Sequence, residues 1–212
     1  MTRPVTMYDL APSPNNIKVR LALGYKKIPY EKIPVDMEDR RPLVKVSGQP
    51  LAPVLVHGDT VLFDSYAIVR YIDANWPSPP RLFSAEREAM KNIEEWEQFA
   101  RTEATQPLRL TFNQVRAPSP DAAVLAKAND LMNRAASRIE EALAKTPCLM
   151  GEAPNAADFT LASMLYYGAI PEGTDKTNPI AAFFRRHIKI ANAPKTLDWI
   201  ARMMAWDKAP RA

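Results

Sequence analysis

Ser13-Pro14-Asn15-Asn16 places one hydroxyl and two carboxamides directly ahead of an apolar run, residues 17–23. A hydroxyl there can donate to an anion, and a helix starting there adds free N–H groups and the positive end of its dipole. The same four residues read equally as a turn and helix cap. Asp64-Ser65 stands in a similar position, ahead of the periodic run 66–76. Ser65 can accept or donate at that helix start while also capping it. Pro53 opens an apolar run, Val54-Leu55-Val56, a place where proline is tolerated because the first residue of a strand can lack its N–H. His57 and His187 have no partners at metal-ligand spacing, so no metal site is expected. Cys148, the single cysteine, follows Pro147 in an apolar stretch and is expected to be buried and inert. With no C-x-x-C pair, thioredoxin-type dithiol chemistry is excluded. Tyr8, near the end of the first strand, reads as a core or cleft-wall residue.

The elements that must position these groups can be read in order. Residues 5–10 and 30–35 suit short strands, and 52–56 and 60–63 flank His57-Gly58-Asp59 as a hairpin. Between the first two strands, Ile17, Val19, Leu21 and Leu23 alternate with the period of a strand. A parallel pair nevertheless needs a crossover, usually a helix, and Pro-Asn-Asn before and Gly24 after are helix punctuation. Residues 17–24 are therefore expected to be helical, with apolar residues on two sides to suit cover by the sheet and a second domain. After Asp64 or Ser65, Ile68, Tyr71 and Ile72 keep helical spacing toward a core.

Residues 76–83, WPSPPRLF, form a stiff proline-rich break. Beyond it the periodicity is helical throughout, with Asn155 and Asp158 spaced as a capping-box variant and 171–179 as a loop. The expectation is a mixed α/β unit over 1–77, a linker over 78–84 and an all-helical unit over 85–212.

Composition narrows the function classes. The net charge of +4 is spread among interspersed acids and bases, so the concentrated basic footprint of a nucleic-acid binder is missing. No apolar run reaches the roughly 18 residues needed to span a membrane, and the first ten residues lack a signal-peptide core. With one cysteine, these features point to a reducing, cytoplasmic setting.

The order of SPNNIKVRLAL, APVL, LFDSYAIVRYI and NAADFTLAS resembles the cytosolic glutathione S-transferases over nearly the whole chain. The Ser-Pro-Asn loop is similar to the serine-type, theta-like and Nu-class bacterial members. The resemblance implies an N-terminal thioredoxin-like βαβαββα domain and an all-helical C-terminal domain. It implies glutathione as co-substrate, no metal, and a homodimer acting on a small electrophile or disulfide. A free thiol has a pKa of about 8.5, so such an enzyme must stabilise the thiolate.

The resemblance assigns that task to Ser13, assisted by Asn15. Ala52 would pair its backbone with the cysteinyl part of glutathione, ahead of a cis-Pro53. Ser65 would meet the γ-glutamyl carboxylate, and Asp64 its ammonium. For the glycyl carboxylate Arg40, Arg41, Lys45 and Gln49 are available, and Gln49 is put forward. The second-substrate pocket is expected near Trp96 to Phe112 and Tyr166-Tyr167. Glutathione-dependent disulfide reductase or peroxidase activity is a narrower form of the same reading. A non-catalytic glutathione-binding or structural member of the fold is the alternative.

Overall fold

The computed structural model describes residues 4–174 and 178–208. Its contacts divide the chain into two compact units, the first holding the residues up to Ser84 together with 205–208, the second running from Ala85 to Met204.

The first unit is a four-stranded mixed sheet of order β2-β1-β3-β4. β1 (Val5–Asp9) pairs in parallel with β2 (Glu31–Pro34) across the helical crossover α1 (Pro14–Tyr25). α2 (Arg41–Ser47) leads to β3 (Val54–His57), which is antiparallel to β1, and β4 (Thr60–Leu62) completes the hairpin before α3 (Ser65–Asn75). This βαβαββα order is the thioredoxin-like arrangement. The alternation in 17–23 does not produce a strand. The helix begins at Pro14, three residues earlier than expected, because proline fits the first helical position, where its missing N–H is no loss.

Val19, Leu21, Ala22 and Leu23 are all fully buried, since α1 is covered on more than one side. The sheet and α3 account for two of these sides, as the Arg20–Asp9 pair and the α1–α3 packing show. The chain's last described residues account for another. Trp206 meets the Tyr25 ring edge-on at 5.0 Å, and Arg20 grips the Asp207 carboxylate through Nε and Nη2, both at 2.8 Å. Gly24 makes this approach possible. A Cβ there would overlap the Trp206 carbonyl oxygen and stand 3.1 Å from its carbon. On the opposite face Val35, Leu43 and Val54 form a small core under α2, with Tyr8 packed against it. The proline-rich segment is tied to the same unit: Asp73, 2% exposed, accepts from Lys26, Arg81 and the Leu82 N–H.

The second unit is helical. α4 (Arg87–Phe99) passes through a π-helical turn (Ala100–Ala104) into α5 (Thr105–Val115). The widened turn contains Glu103, whose carbonyl would face Pro107, a residue with no N–H to return. α6 (Ala122–Ala142), α7 (Ala156–Leu165), α8 (Pro179–His187) and α9 (Pro194–Met204) follow, while 175–177 of the expected loop 171–179 lie outside the described residues.

Every residue of α7 is buried, so its apolar sequence has no polar face to show. Its start is fixed by the capping box: Asn155 accepts from Ala157 N–H at 2.8 Å, and Asp158 Oδ2 from Asn155 N–H at 3.0 Å. Asp158 Oδ1 also accepts from Leu149 N–H at 3.0 Å and Trp199 Nε1 at 2.9 Å. Burial still pushes its carboxyl above the ordinary range, against those hydrogen bonds. None of the described helices is long and apolar enough to cross a membrane.

Candidate functional site

Strand register brings the expected site segments to one end of the sheet. β1 ends at Asp9, beside Pro34, the end of β2. β3 starts there too, with Val54 opposite Tyr8, and β4 ends there, with Leu62 opposite Leu55. Hence the loop 10–13, the Ala52-Pro53 peptide and Asp64-Ser65 all lie at the same end. So do the N-termini of α1, which has no acidic residue at its cap or in its first turn, and of α3, which Asp64 caps.

Ser13 is the N-cap residue of α1, half-buried, and its side chain makes no capping hydrogen bond. A turn fixes its backbone, Ser13 N–H donating to Leu10 O at 3.1 Å, and Ser13 O accepts from Ile17 N–H at 3.0 Å. Asn15 is half-buried, whereas Asn16 is wholly buried and accepts from Leu10 N–H at 2.9 Å. The Ala52-Pro53 bond is cis, with Pro53 buried and Ala52 half-buried. Asp64 caps α3, its carboxylate accepting from Ala67 N–H at 2.8 Å, and Ser65 beside it is 6% exposed.

Gln49 has local work. Its Nε2 donates to Ser47 Oγ at 2.8 Å and Leu51 O at 2.9 Å, and its Oε1 accepts from Leu51 N–H at 2.7 Å. Both amide hydrogens are thereby used in shaping the loop before Ala52. Arg40 donates to Met37 O and Arg41 pairs with exposed Asp39. Lys45 is exposed, and among the described residues it makes no ion pair.

Sequence reasoning missed the ionic cluster behind this end. Asp9, 4% exposed, is paired with Arg20 Nη1 at 2.5 Å, and Asp207 holds the rest of the guanidinium. Burial works against the Arg20 charge, but Asp207 and then Asp9 hold its pKa above the ordinary value. Beside them Tyr30 is pushed up to about 12, first by burial and then by the Asp207 and Asp9 charges, with Arg20 opposing. A charged pair 187 residues apart leaves no local pattern to read. Asn16 stands three residues after a serine N-cap, the spacing of a capping box, but its Oδ1 accepts from Leu10 N–H and not from Ser13 N–H.

His57 Nδ1 lies 2.8 Å from Tyr71 Oη, and its ring lies against Trp76. Among the described residues no group of three metal-ligating side chains occurs. Cys148 is buried, and its thiol is pushed up to about 11 by burial and the nearby Asp158 charge, with Arg202 opposing.

In the helical unit the expected second-substrate residues separate. Phe112, Tyr167 and Phe184 pack ring to ring at 4.7–5.6 Å, and Tyr167 and Phe184 belong to the core. Trp96 instead lines a cleft of about 460 Å³ with Glu86, Asn92, Arg138, Leu149 and Met150. The Arg138 guanidinium lies 5.1 Å from the Trp96 ring centre and 4.2 Å from that of Phe99.

This geometry can be set beside known proteins. The alignment with "Glutathione S-transferase 3" of Zea mays is 29% identical over 169 residues, 75% of this chain and 73% of that one. "Glutathione S-transferase U1" of Arabidopsis thaliana is 40% identical over 73 residues, so that the chain spans about a third (32%) of its length. The structure of a theta-class glutathione S-transferase from Xanthomonas axonopodis pv. citri, with glutathione bound, superposes with a TM-score of 0.74. That superposition covers 94% of this chain and 92% of the other at 24% identity, a likeness of fold. The family model of the glutathione S-transferase N-terminal domain matches residues 7–80, across the sheet end just described, and that of the C-terminal domain matches 99–206. Two family domains in their proper order, the second alone covering half the sequence, make this chain a member of the glutathione S-transferase family.

Proposed function

We propose that the protein is a glutathione transferase in which Ser13 donates its hydroxyl to the sulfur of glutathione and stabilises the thiolate for attack on an electrophilic carbon or a disulfide. The carrying observation is the uncommitted Ser13 hydroxyl at the positive end of α1. Asn15, in the first turn, is the assisting donor. Lowering a thiol pKa by about two units takes about 2.7 kcal/mol of preferential thiolate stabilisation. A charge-assisted hydrogen bond and a helix terminus are together of that size.

The peptide is held by the Ala52 backbone ahead of cis-Pro53, by Ser65 at the start of α3 for the γ-glutamyl carboxylate, and by Asp64 near its ammonium. Lys45 takes the glycyl carboxylate in place of Gln49, whose amide is engaged in the loop. Glutathione bound in the Xanthomonas theta-class structure supports the choice of ligand. The second substrate binds in the helical unit, and the Trp96 cleft is the candidate there.

The working form is a cytoplasmic homodimer. Val61 on the edge strand β4 and Phe63 just after it, with Val44 on α2 and Leu51 ahead of β3, are exposed apolar residues that support self-association. Calorimetry with glutathione and turnover of a panel of electrophiles and a dialkyl disulfide test the reading. Glutathione is expected to bind, and Ser13→Ala is expected to bind it with turnover lowered. Unaltered turnover in Ser13→Ala refutes the role of Ser13, and absence of glutathione binding refutes the whole assignment.

A further inference from the structure

Serine at a helix N-cap ordinarily gives its oxygen to the N–H of the second or third helical residue. Ser13 does not. Pro14, the first residue of α1, has no N–H, and the N–H of Asn15, the second, is the donor that a Ser13 cap would take after an opening of the loop. The N–H of Asn16, the third, is already donated to the Ser13 carbonyl at 3.1 Å.

The loop is closed from the other side. Asn16 Oδ1 reaches back six residues to the Leu10 N–H, while the Leu10 carbonyl accepts from Ser13 N–H. Leu10 is thus held at both of its backbone groups, and Ser13 sits inside the ring of hydrogen bonds that results.

Asparagine is a costly residue for this place. Asn16 is fully buried, and its Nδ2 has no hydrogen-bond partner among the described residues. Removing water from such a donor without replacing it is unfavourable, and an apolar side chain would avoid it. What asparagine supplies here, and an apolar side chain cannot, is the acceptor for Leu10.

We propose that Asn16 is the positioning residue of the glutathione site: by closing the loop itself, it relieves Ser13 of capping and leaves the serine hydroxyl for the thiolate. This rests on the role given to Ser13 above. Without the Asn16 side chain, the Leu10 N–H loses its acceptor and the turn opens. The Ser13 hydroxyl then rotates onto the N–H groups of its own helix as an ordinary cap, and is lost to sulfur.

The test is the pKa of the bound thiol, read from thiolate ultraviolet absorbance across pH, in Asn16→Ala, Ser13→Ala, the double variant and Val19→Ala. Val19 is a buried residue of the same helix with no place in the site, and controls for lost stability. Asn16→Ala is expected to raise the bound-thiol pKa by about one unit and lower kcat/KM about threefold at pH 7, approaching tenfold below about pH 5.5. Affinity for S-methylglutathione, which has no thiol, stays within about twofold of wild type. Ser13→Ala raises the pKa as well, and Asn16→Ala adds nothing in that background. Val19→Ala leaves the pKa unchanged. If Asn16→Ala is poorly folded, Asn16→Ser carries the same expectation, since its hydroxyl falls short of Leu10.

A wild-type thiol pKa in a folded Asn16 variant overturns the proposal, as does an equal shift in Val19→Ala. An unshifted pKa in Ser13→Ala identifies the other failure, that of the Ser13 reading itself.

Discussion

Gly24→Ala is expected to change sign with the length of the chain. In a helix, alanine is favoured over glycine by about 0.8–1.0 kcal/mol, so propensity alone makes the substitution stabilising. In the full chain, however, the new methyl group overlaps the Trp206 carbonyl, a backbone atom that cannot rotate aside. The segment 205–208 must lift from α1, and two contacts go with it: the Tyr25–Trp206 edge contact and the two-pronged Arg20–Asp207 pair. Removing one partner of a fully buried pair costs about 3–5 kcal/mol. Here Asp9 still faces Arg20, and water reaches the uncovered side, so about 2 kcal/mol is the better figure for this partly buried pair. The net result is a loss of about 1 kcal/mol in the full chain and a gain of nearly that much in a chain ending at Met204. At roughly 2–4 °C per kcal/mol for a protein of this size, the two backgrounds differ by about 4–8 °C in the Tm change. Thermal melts of the four proteins measure it. The same Tm change in both backgrounds would mean that the segment does not rest on Gly24, and would refute the reasoning.

Three further outcomes follow from buried polar groups. Asp158→Ala leaves three donors facing an empty site and is expected to cost about 3–5 kcal/mol, read by denaturant unfolding. Asp158→Asn, which keeps one oxygen, costs less. Because burial raises the folded pKa of Asp158, its protonated form is favoured by folding. Its contribution is complete below the ordinary carboxyl value of 3.8 and declines as pH rises through the higher folded value, so the Asn variant's deficit shrinks over that interval. Tyr30→Phe is expected to stabilise by about 1 kcal/mol, since the buried hydroxyl has no partner among the described residues; a destabilised variant would show that it has one in solution. Cys148, with its thiol near 11, should react with a thiol reagent at pH 8 about 200-fold more slowly than an ordinary cysteine, from thiolate fraction alone. Rapid labelling of the native protein would contradict its burial.

The parts of the fold that were legible in the sequence are those set by neighbours along the chain. The crossover requirement between β1 and β2 overrode the alternation of residues 17–23, and α1 is helical from Pro14. The Asn155–Asp158 spacing announced the capping box that starts α7. What was not legible depends on residues brought together from afar. Asp207 meets Arg20 only after the whole helical unit has intervened, and Tyr167 joins Phe112 and Phe184 in a core that helical periodicity alone could not separate from a pocket wall. Gln49 was put forward for its chemistry, and the structure shows its carboxamide meeting the Ser47 hydroxyl and both backbone groups of Leu51, each two residues away. A short polar side chain in a tight loop is more readily satisfied by that loop than by a ligand.

The Ser13 loop shows the opposite case, and the difference lies in how many donors remain to be satisfied. At a normal helix start a serine has several N–H groups within reach and is drawn onto one of them. Here the first helical residue is Pro14, the Ser13 carbonyl takes the N–H of Asn16, and Asn16 closes the loop through Leu10, which leaves the Asn15 N–H as the capping donor the Ser13 hydroxyl does not take. Proline, serine and asparagine are each common in turns, so a turn was a fair reading of the four residues. Their combination fixes the loop while the Ser13 side chain makes no cap bond, and it does so at the end of the sheet where the other site segments converge. The hydroxyl left over has solvent or a ligand to bond. On the function proposed above, the sulfur of glutathione is the group that takes it, and a thiolate gains more from the donor than a thiol does.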